Sequence, residues 1–185
     1  MIVVAAPSGW YIGVTSHPEQ HRMTPHHDRA EPTAGNRYQD RNAALIAASF
    51  ARLLGYDLLP PCDDLAWRLY HAPFAVLAHD GAADPVFFYA NLTAQGLFEL
   101  SWADFVRLPS RYSAEPLARE ERQRLLERVA RQGYIDDYVG VRVSAGGKRF
   151  RVAKARVWNL LDDAGKTVGQ AAAFGDWVSL PDAGC

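Results

Sequence analysis

The stretch Tyr138–Trp177, YVGVRVSAGGKRFRVAKARVWNLLDDAGKTVGQAAAFGDW, decides the fold class. Val139, Val141 and Val143 alternate with Gly140 and Arg142, the period of a strand with one buried face. Ala145, Gly146 and Gly147 then turn the chain. Phe150–Leu161 reads as a long strand whose apolar parity shifts near Ala153, which predicts a bulge. Asp162, Asp163, Ala164 and Gly165 turn the chain again, and Val168–Trp177 reads as a third strand. Short turns between consecutive strands make this an antiparallel meander.

Working back from the meander, Glu115–Gln132 reads as a helix. Pro116 suits its first turn, Leu117, Leu125 and Val129 lie on one face, and Gly133 is the stop signal. Glu120–Arg124 and Glu127–Arg131 add i, i+4 pairs in the favourable order. Ser101 and Asp104 have capping-box spacing at the start of a short helix, and Asn91 can cap another over Leu92–Leu100. Phe74–Ala78 and Pro85–Tyr89, joined by a turn, read as a β-hairpin. Asp63 can cap a short helix through Tyr70. Asn42–Leu54 reads as a longer one, with Ile46, Phe50, Leu53 and Leu54 on one stripe and Gly55 as its stop. A hairpin, short helices and then a meander is an α+β order, with helices packed on one side of an antiparallel sheet. Residues 1–35 hold Pro7, Pro18, Pro25 and Pro32 among polar residues and read as a flexible arm. His17 and His21 have the i, i+4 spacing of a metal pair, but Pro18 and the lack of an apolar face argue against the helix that pair needs.

The 185 residues are 49% hydrophobic and 22% charged, enough to bury a core, so global disorder is excluded. No apolar run approaches the length of a membrane span. Cys62 and Cys185 make no disulfide framework, and a cytoplasmic setting is the simplest expectation. The net charge of −1 conceals an asymmetry: Arg107–Arg156 holds 13 Lys and Arg against 6 Asp and Glu. A solvated surface explains that stretch; an acidic partner or ligand is the sharper reading, and no nucleic-acid recognition module is visible.

The segments LYHAPFAVLAHD (Leu69–Asp80), FFYANLTAQGLFELSWADFVRLPSRYSAEP (Phe87–Pro116) and REERQRLLERVARQGYIDDYVGVRVSAGGKRFRVAKARVWNLLDDAGKTVGQAAAFGDW (Arg119–Trp177) resemble the MEKHLA domain family, a PAS-like module. The family occurs at the C-terminus of plant class III homeodomain-leucine-zipper proteins and as stand-alone bacterial proteins, and this chain resembles the stand-alone type. The resemblance implies a five-stranded antiparallel sheet with short helices on one face. It divides the chain into an arm (1–35), an N-terminal helical extension (36–70) and the PAS-like domain (71–180). It also implies a sensory style of function: a small organic ligand between sheet and helices, and signalling through protein contacts. It brings no catalytic residues. An enzyme or biosynthetic helper using the same pocket, and a pure interaction module without ligand, remain alternatives.

The residues narrow the cofactor. A covalent flavin adduct needs a thiol inside the domain, and Cys62 and Cys185 lie outside it. Haem is disfavoured because no His follows His79 and no Met follows Met23. Noncovalent flavin stays open. The candidate ligand-binding residues are Phe105, Arg111, Tyr112, Tyr134, Trp158 and Gln170. Arg111 can fork onto a carboxylate ligand or pair with Asp104, Glu115 or another acid. Tyr112, Tyr134 and Trp158 can line a pocket or fill core. Gln170 in an apolar strand needs a partner if buried. His71 and His79 flank the first strand; a surface or capping role is the plainer reading for His71. No serine has a placed His base. The Ile46–Leu54 stripe is the natural element for a homodimer, as in the flanking helices of PAS modules.

Overall fold

The computed structural model describes residues 27–114, 128, 129 and 131–181. The expected His17–His21 pair, Cys185 and residues 115–127 of the expected long helix lie outside them. Residues 128, 129, 131 and 132 are helical. Gly133 closes that turn at φ +81°, its N–H donating to the Val129 carbonyl at 2.7 Å.

The meander is present as β3 (Tyr134–Val143), β4 (Arg149–Leu161) and β5 (Thr167–Phe174), followed by β6 (Asp176–Ser179). The predicted third strand is thus two. β5 and β6 face β4 in one register, Arg156 opposite Ala173 and Ala153 opposite Asp176, and the break falls at Gly175. Opposite the break, Lys154 takes φ +52°. This is the bulge that the parity shift predicts: Val152 and Ala155 both enter the same core, so Ala153 and Lys154 together occupy the other face. The β3–β4 register shifts on either side of Tyr138, across from that point.

The hairpin forms β1 (Ala75–Asp80) and β2 (Phe87–Ala90). The sheet order is β2-β1-β5-β4-β3, with every neighbour antiparallel and β6 added against β4. Gly169 permits the close approach of β1 to β5: a Cβ there would lie 2.3 Å from the His79 carbonyl oxygen.

Helices cover both faces. On the inner face lie α3 (Leu92–Phe98) and α4 (Trp102–Phe105), with the helical turn at 128–132. Asn91 caps α3 as expected, its Oδ1 accepting from Ala94 N at 3.0 Å and also from Val76 N at 2.9 Å. Its Nδ2 donates to the Phe74 carbonyl at 2.8 Å, so one fully buried amide ties strand to helix. Ser101 caps α4 through Asp104 N.

On the outer face lie α1 (Asp40–Leu54) and α2 (Leu65–Tyr70), so the N-terminal extension forms a second layer. Ile46 and Phe50 are buried against Trp158, Leu160, Ala171 and Ala173. Trp158 Nε1 donates to the Ile46 carbonyl at 3.2 Å, and Ser49 Oγ accepts from Leu161 N at 2.9 Å. The stripe expected to bind a second copy is therefore used within the chain. Residues at the end of the expected arm are placed as well. His27 stacks on Phe88 with ring centroids 3.8 Å apart. Arg29 donates to the carbonyls of Phe87 and Val106 and pairs with Asp80 at 2.8 Å. No helix among the described residues is long and apolar enough to cross a membrane.

Candidate functional site

The inner face is apolar at one end and polar at the other. Beside α3 and α4, Phe87, Phe98, Phe105, Phe150 and Phe174 are buried in one cluster. Their rings meet edge to face, Phe105 with Phe87 at 5.1 Å and with Phe98 at 5.7 Å. Toward the 128–132 turn the same sheet face presents His79, Gln170 and Asn159. The three are directly opposed across β1, β5 and β4, His79 to Gln170 and Gln170 to Asn159. Residues opposed in this way point to the same side of the sheet. Val157, Ala172 and Ile135 surround the row with apolar surface, and Val129 closes over them from the helical turn.

Gln170 Nε2 donates to Asn159 Oδ1 at 3.2 Å. Asn159 is buried; its backbone N–H donates to the Gly133 carbonyl at 2.8 Å and its Nδ2 approaches the Val129 carbonyl at 3.4 Å. The His79 Nδ1 lies 2.8 Å from the Asp80 carbonyl, and its ring meets Phe87 edge to face at 6.1 Å. Two amides and an imidazole in line offer both donors and acceptors to a flat polar molecule. A buried amide on an apolar face is costly without partners, and the buried Asn159 takes its donor from the half-buried Gln170. Among the described residues no three His, Cys, Asp or Glu side chains cluster as a metal site.

The six sequence candidates fall in three places. Phe105 and Gln170 lie on the inner face, Phe105 in the phenylalanine cluster and Gln170 at the centre of the polar row. Trp158 and Tyr134 are a correction: they lie on the opposite face, Trp158 fully buried beneath α1 and Tyr134 packed on the same cluster. Strand alternation explains it, since Trp158 stands between Val157 and Asn159, which both face inward. Ile135, rather than Tyr134, meets Val129. Arg111 and Tyr112 sit on the surface in a 3-10 turn (Ser110–Ser113), with Tyr112 60% exposed. Arg111 forms an ion pair with Asp84, and its guanidinium lies 4.4 Å from the Tyr112 ring centroid. Asp84 is thus an acid of the alternative reading, a structural pair rather than a ligand contact. Sequence reasoning passed over Asn159 and gave His79 no role in a row. The turn at 162–165 pairs Leu161 with Thr167, and that register alone would set Asn159 opposite Gly169; a shift between Leu160 and Leu161 brings Asn159 to Gln170, so the row is not readable from the turn.

The profile of the MEKHLA domain matches residues 40–179. Solved structures similar to this chain include the PAS domain of a protein from Colwellia psychrerythraea, at 13% identity and a TM-score of 0.53, covering 62% of this chain and 92% of that one. A light-oxygen-voltage domain studied with a flavin analogue is similar at 15% identity and a TM-score of 0.50, over 64% of this chain and 85% of that one. An RNA-binding light-oxygen-voltage receptor is similar at 18% identity and a TM-score of 0.52, over 63% of this chain but 35% of its own length. No curated protein matches the chain. At these identities the structural likenesses establish the fold, a PAS-like α+β sheet domain; the profile match covers about three quarters of the sequence, and the chain belongs to the MEKHLA domain family.

Proposed function

We propose that the chain is a sensory module that holds a small, flat, uncharged organic ligand on the inner face of its sheet and passes occupancy to its N-terminal helical layer. The observation that carries this reading is the His79–Gln170–Asn159 row, three opposed polar side chains on an otherwise apolar face. A heteroaromatic ring with an amide-like edge would exchange hydrogen bonds with Gln170 and Asn159 and lay its body on Val157 and Ala172. The route outward is short. Asn159 is bonded to Trp158, whose indole N–H holds the Ile46 carbonyl of α1, and Gln170 adjoins Ala171, which packs in the same outer cluster. A change of inner-face hydrogen bonding that shifts β4 is felt at α1.

Native mass spectrometry and absorption spectroscopy on freshly purified full chain test this. The reading expects a noncovalent adduct, or thermal stabilisation by members of a panel of flavins, purines and other heteroaromatics. Either is lost in Gln170→Leu with the circular dichroism spectrum unchanged. A bare mass together with no stabilisation across the panel favours an interaction module without ligand. That second reading has its own support in the five phenylalanines that fill the other half of the interior.

A further inference from the structure

The outer face of the sheet carries a cleft apart from the His79–Gln170–Asn159 row, at the end of α1. α1 ends at Gly55, and the chain turns away before it has covered β4 as far as the bulge. There β5 gives way to β6 at Gly175, and the small residues Ala173 and Gly175 leave a depression of about 350 Å³. Phe50, Leu58 and Phe74 form its apolar wall. Lys154 and Arg156 stand on its rim, both exposed. An apolar wall on one side and a charged rim on the other suit a small amphiphilic molecule.

Two observations give the cleft a charge preference. Arg156 Nε donates to the Tyr56 hydroxyl at 2.9 Å, which holds the guanidinium at the rim while the terminal nitrogens make no ion pair among the described residues. Lys154 likewise has no carboxylate partner among the described residues, although Asp176 also lines the cleft. Lys154 further occupies a left-handed backbone position, φ +52°, that glycine or asparagine adopts with less strain. Two residues apart on β4, with Ala155 buried between them, Lys154 and Arg156 share the outer face.

We propose that this cleft is a second binding site, for a small organic acid whose carboxylate meets Lys154 and Arg156 and whose apolar body lies against Phe50, Leu58 and Phe74. A guanidinium and an ammonium side by side suit a carboxylate, and an aromatic or aliphatic body replaces water over the wall. The site is on the opposite side of the sheet from the His79–Gln170–Asn159 row, so it does not rest on the sensory reading.

Calorimetric titration of the full chain with phenylacetate and octanoate, beside their neutral amides phenylacetamide and octanamide, tests the proposal. At least one acid is expected to bind in the millimolar range or tighter, with its amide at least tenfold weaker. The double variant Lys154→Asn, Arg156→Gln is expected to lose at least tenfold, and Asn suits the left-handed position. Gln170→Leu is expected to bind the acids as the unaltered chain does. The proposal is overturned if neither acid binds, if the amides bind as well as the acids, if the double variant binds unchanged, or if Gln170→Leu abolishes binding. If the double variant does not fold, the acid-against-amide comparison on the unaltered chain decides alone.

Discussion

The two faces of the sheet use the same strands but anchor their polar groups differently. On the outer face, the polar side chains between α1 and β4 reach for backbone: Trp158 Nε1 for the Ile46 carbonyl and Ser49 Oγ for Leu161 N. Bonds of that kind fix a layer in place, because the backbone partner cannot turn away. On the inner face, Gln170 Nε2 reaches for the Asn159 side-chain oxygen, while the Asn159 amide nitrogen has only a long contact of 3.4 Å to the Val129 carbonyl. Side-chain pairs are the minority of protein hydrogen bonds and can re-pair with an incoming molecule without disturbing a ladder. The outer face is thus built to hold a helix, and the inner row to exchange partners.

The largest expected effect follows from the outer face. Trp158→Ala removes a fully buried indole and its bond to α1, and should cost about 3–5 kcal/mol, read from urea denaturation at constant m-value. Trp158→Phe keeps most of the volume and loses the hydrogen bond, for about 1 kcal/mol. A loss below 1 kcal/mol for the alanine variant would mean that α1 is not an anchored layer. Gly169→Ala comes next, since it strikes both faces at once. Its Cβ would meet the His79 carbonyl oxygen at 2.3 Å, a backbone atom that cannot rotate aside. We expect about 3 kcal/mol of destabilisation and weaker protection from hydrogen exchange along β1 and β5.

The inner row should behave otherwise. Gln170→Leu leaves Asn159 Oδ1 without its donor and should cost about 1 kcal/mol, whereas Gln170→Leu with Asn159→Leu should recover much of it, because two matched apolar groups leave no orphan. Thermal denaturation of the single and double variants measures this. Recovery identifies the row as polar for a reason other than stability; a further loss in the double variant would make it structural, like Asn91.

Much of this contrast is legible in the sequence, and the limits have physical causes. Caps, stops and turns are local, so Asn91, Ser101, Gly55 and Gly133 are readable from the residues beside them. The bulge is readable from parity, because Val152 and Ala155 cannot both face inward on an unbroken strand. Face assignment is not local. Trp158 and Val157 are both apolar and both buried, and only the pairing of β4 under α1 tells which serves which layer. Arg111 was drawn to a pocket by its neighbours in sequence, while Asp84, its partner, lies 27 positions away. The same applies to His79, which gains a place in a row only when β5 is laid beside β1.

The smallest effect lies where residues 27–33 meet the edge of the sheet, and there the outer face breaks its own pattern. His27 Nε2 and Tyr89 Oη are buried with no hydrogen-bond partner among the described residues. Burial lowers the His27 pKa below the ordinary imidazole value of 6.5 and outweighs the opposing influence of the Val168 backbone and of Asp80; Arg29 adds to the lowering. A base with a depressed pKa in the folded state binds its proton more readily once released. Docking of this segment is therefore at full strength above pH 6.5 and weakens as pH falls from there toward the folded-state value. His27→Phe keeps the stack on Phe88 and cannot titrate, so it serves as the reference against which every other titration cancels. The difference in melting temperature between the native chain and His27→Phe should be flat above pH 7 and should widen against the native chain between pH 6.5 and 5. An NMR titration of the His27 ring should show a midpoint below 6.5. Parallel melting profiles, or a midpoint at or above 6.5, would show that the imidazole is not held in the buried stack and that the outer layer ends at α1.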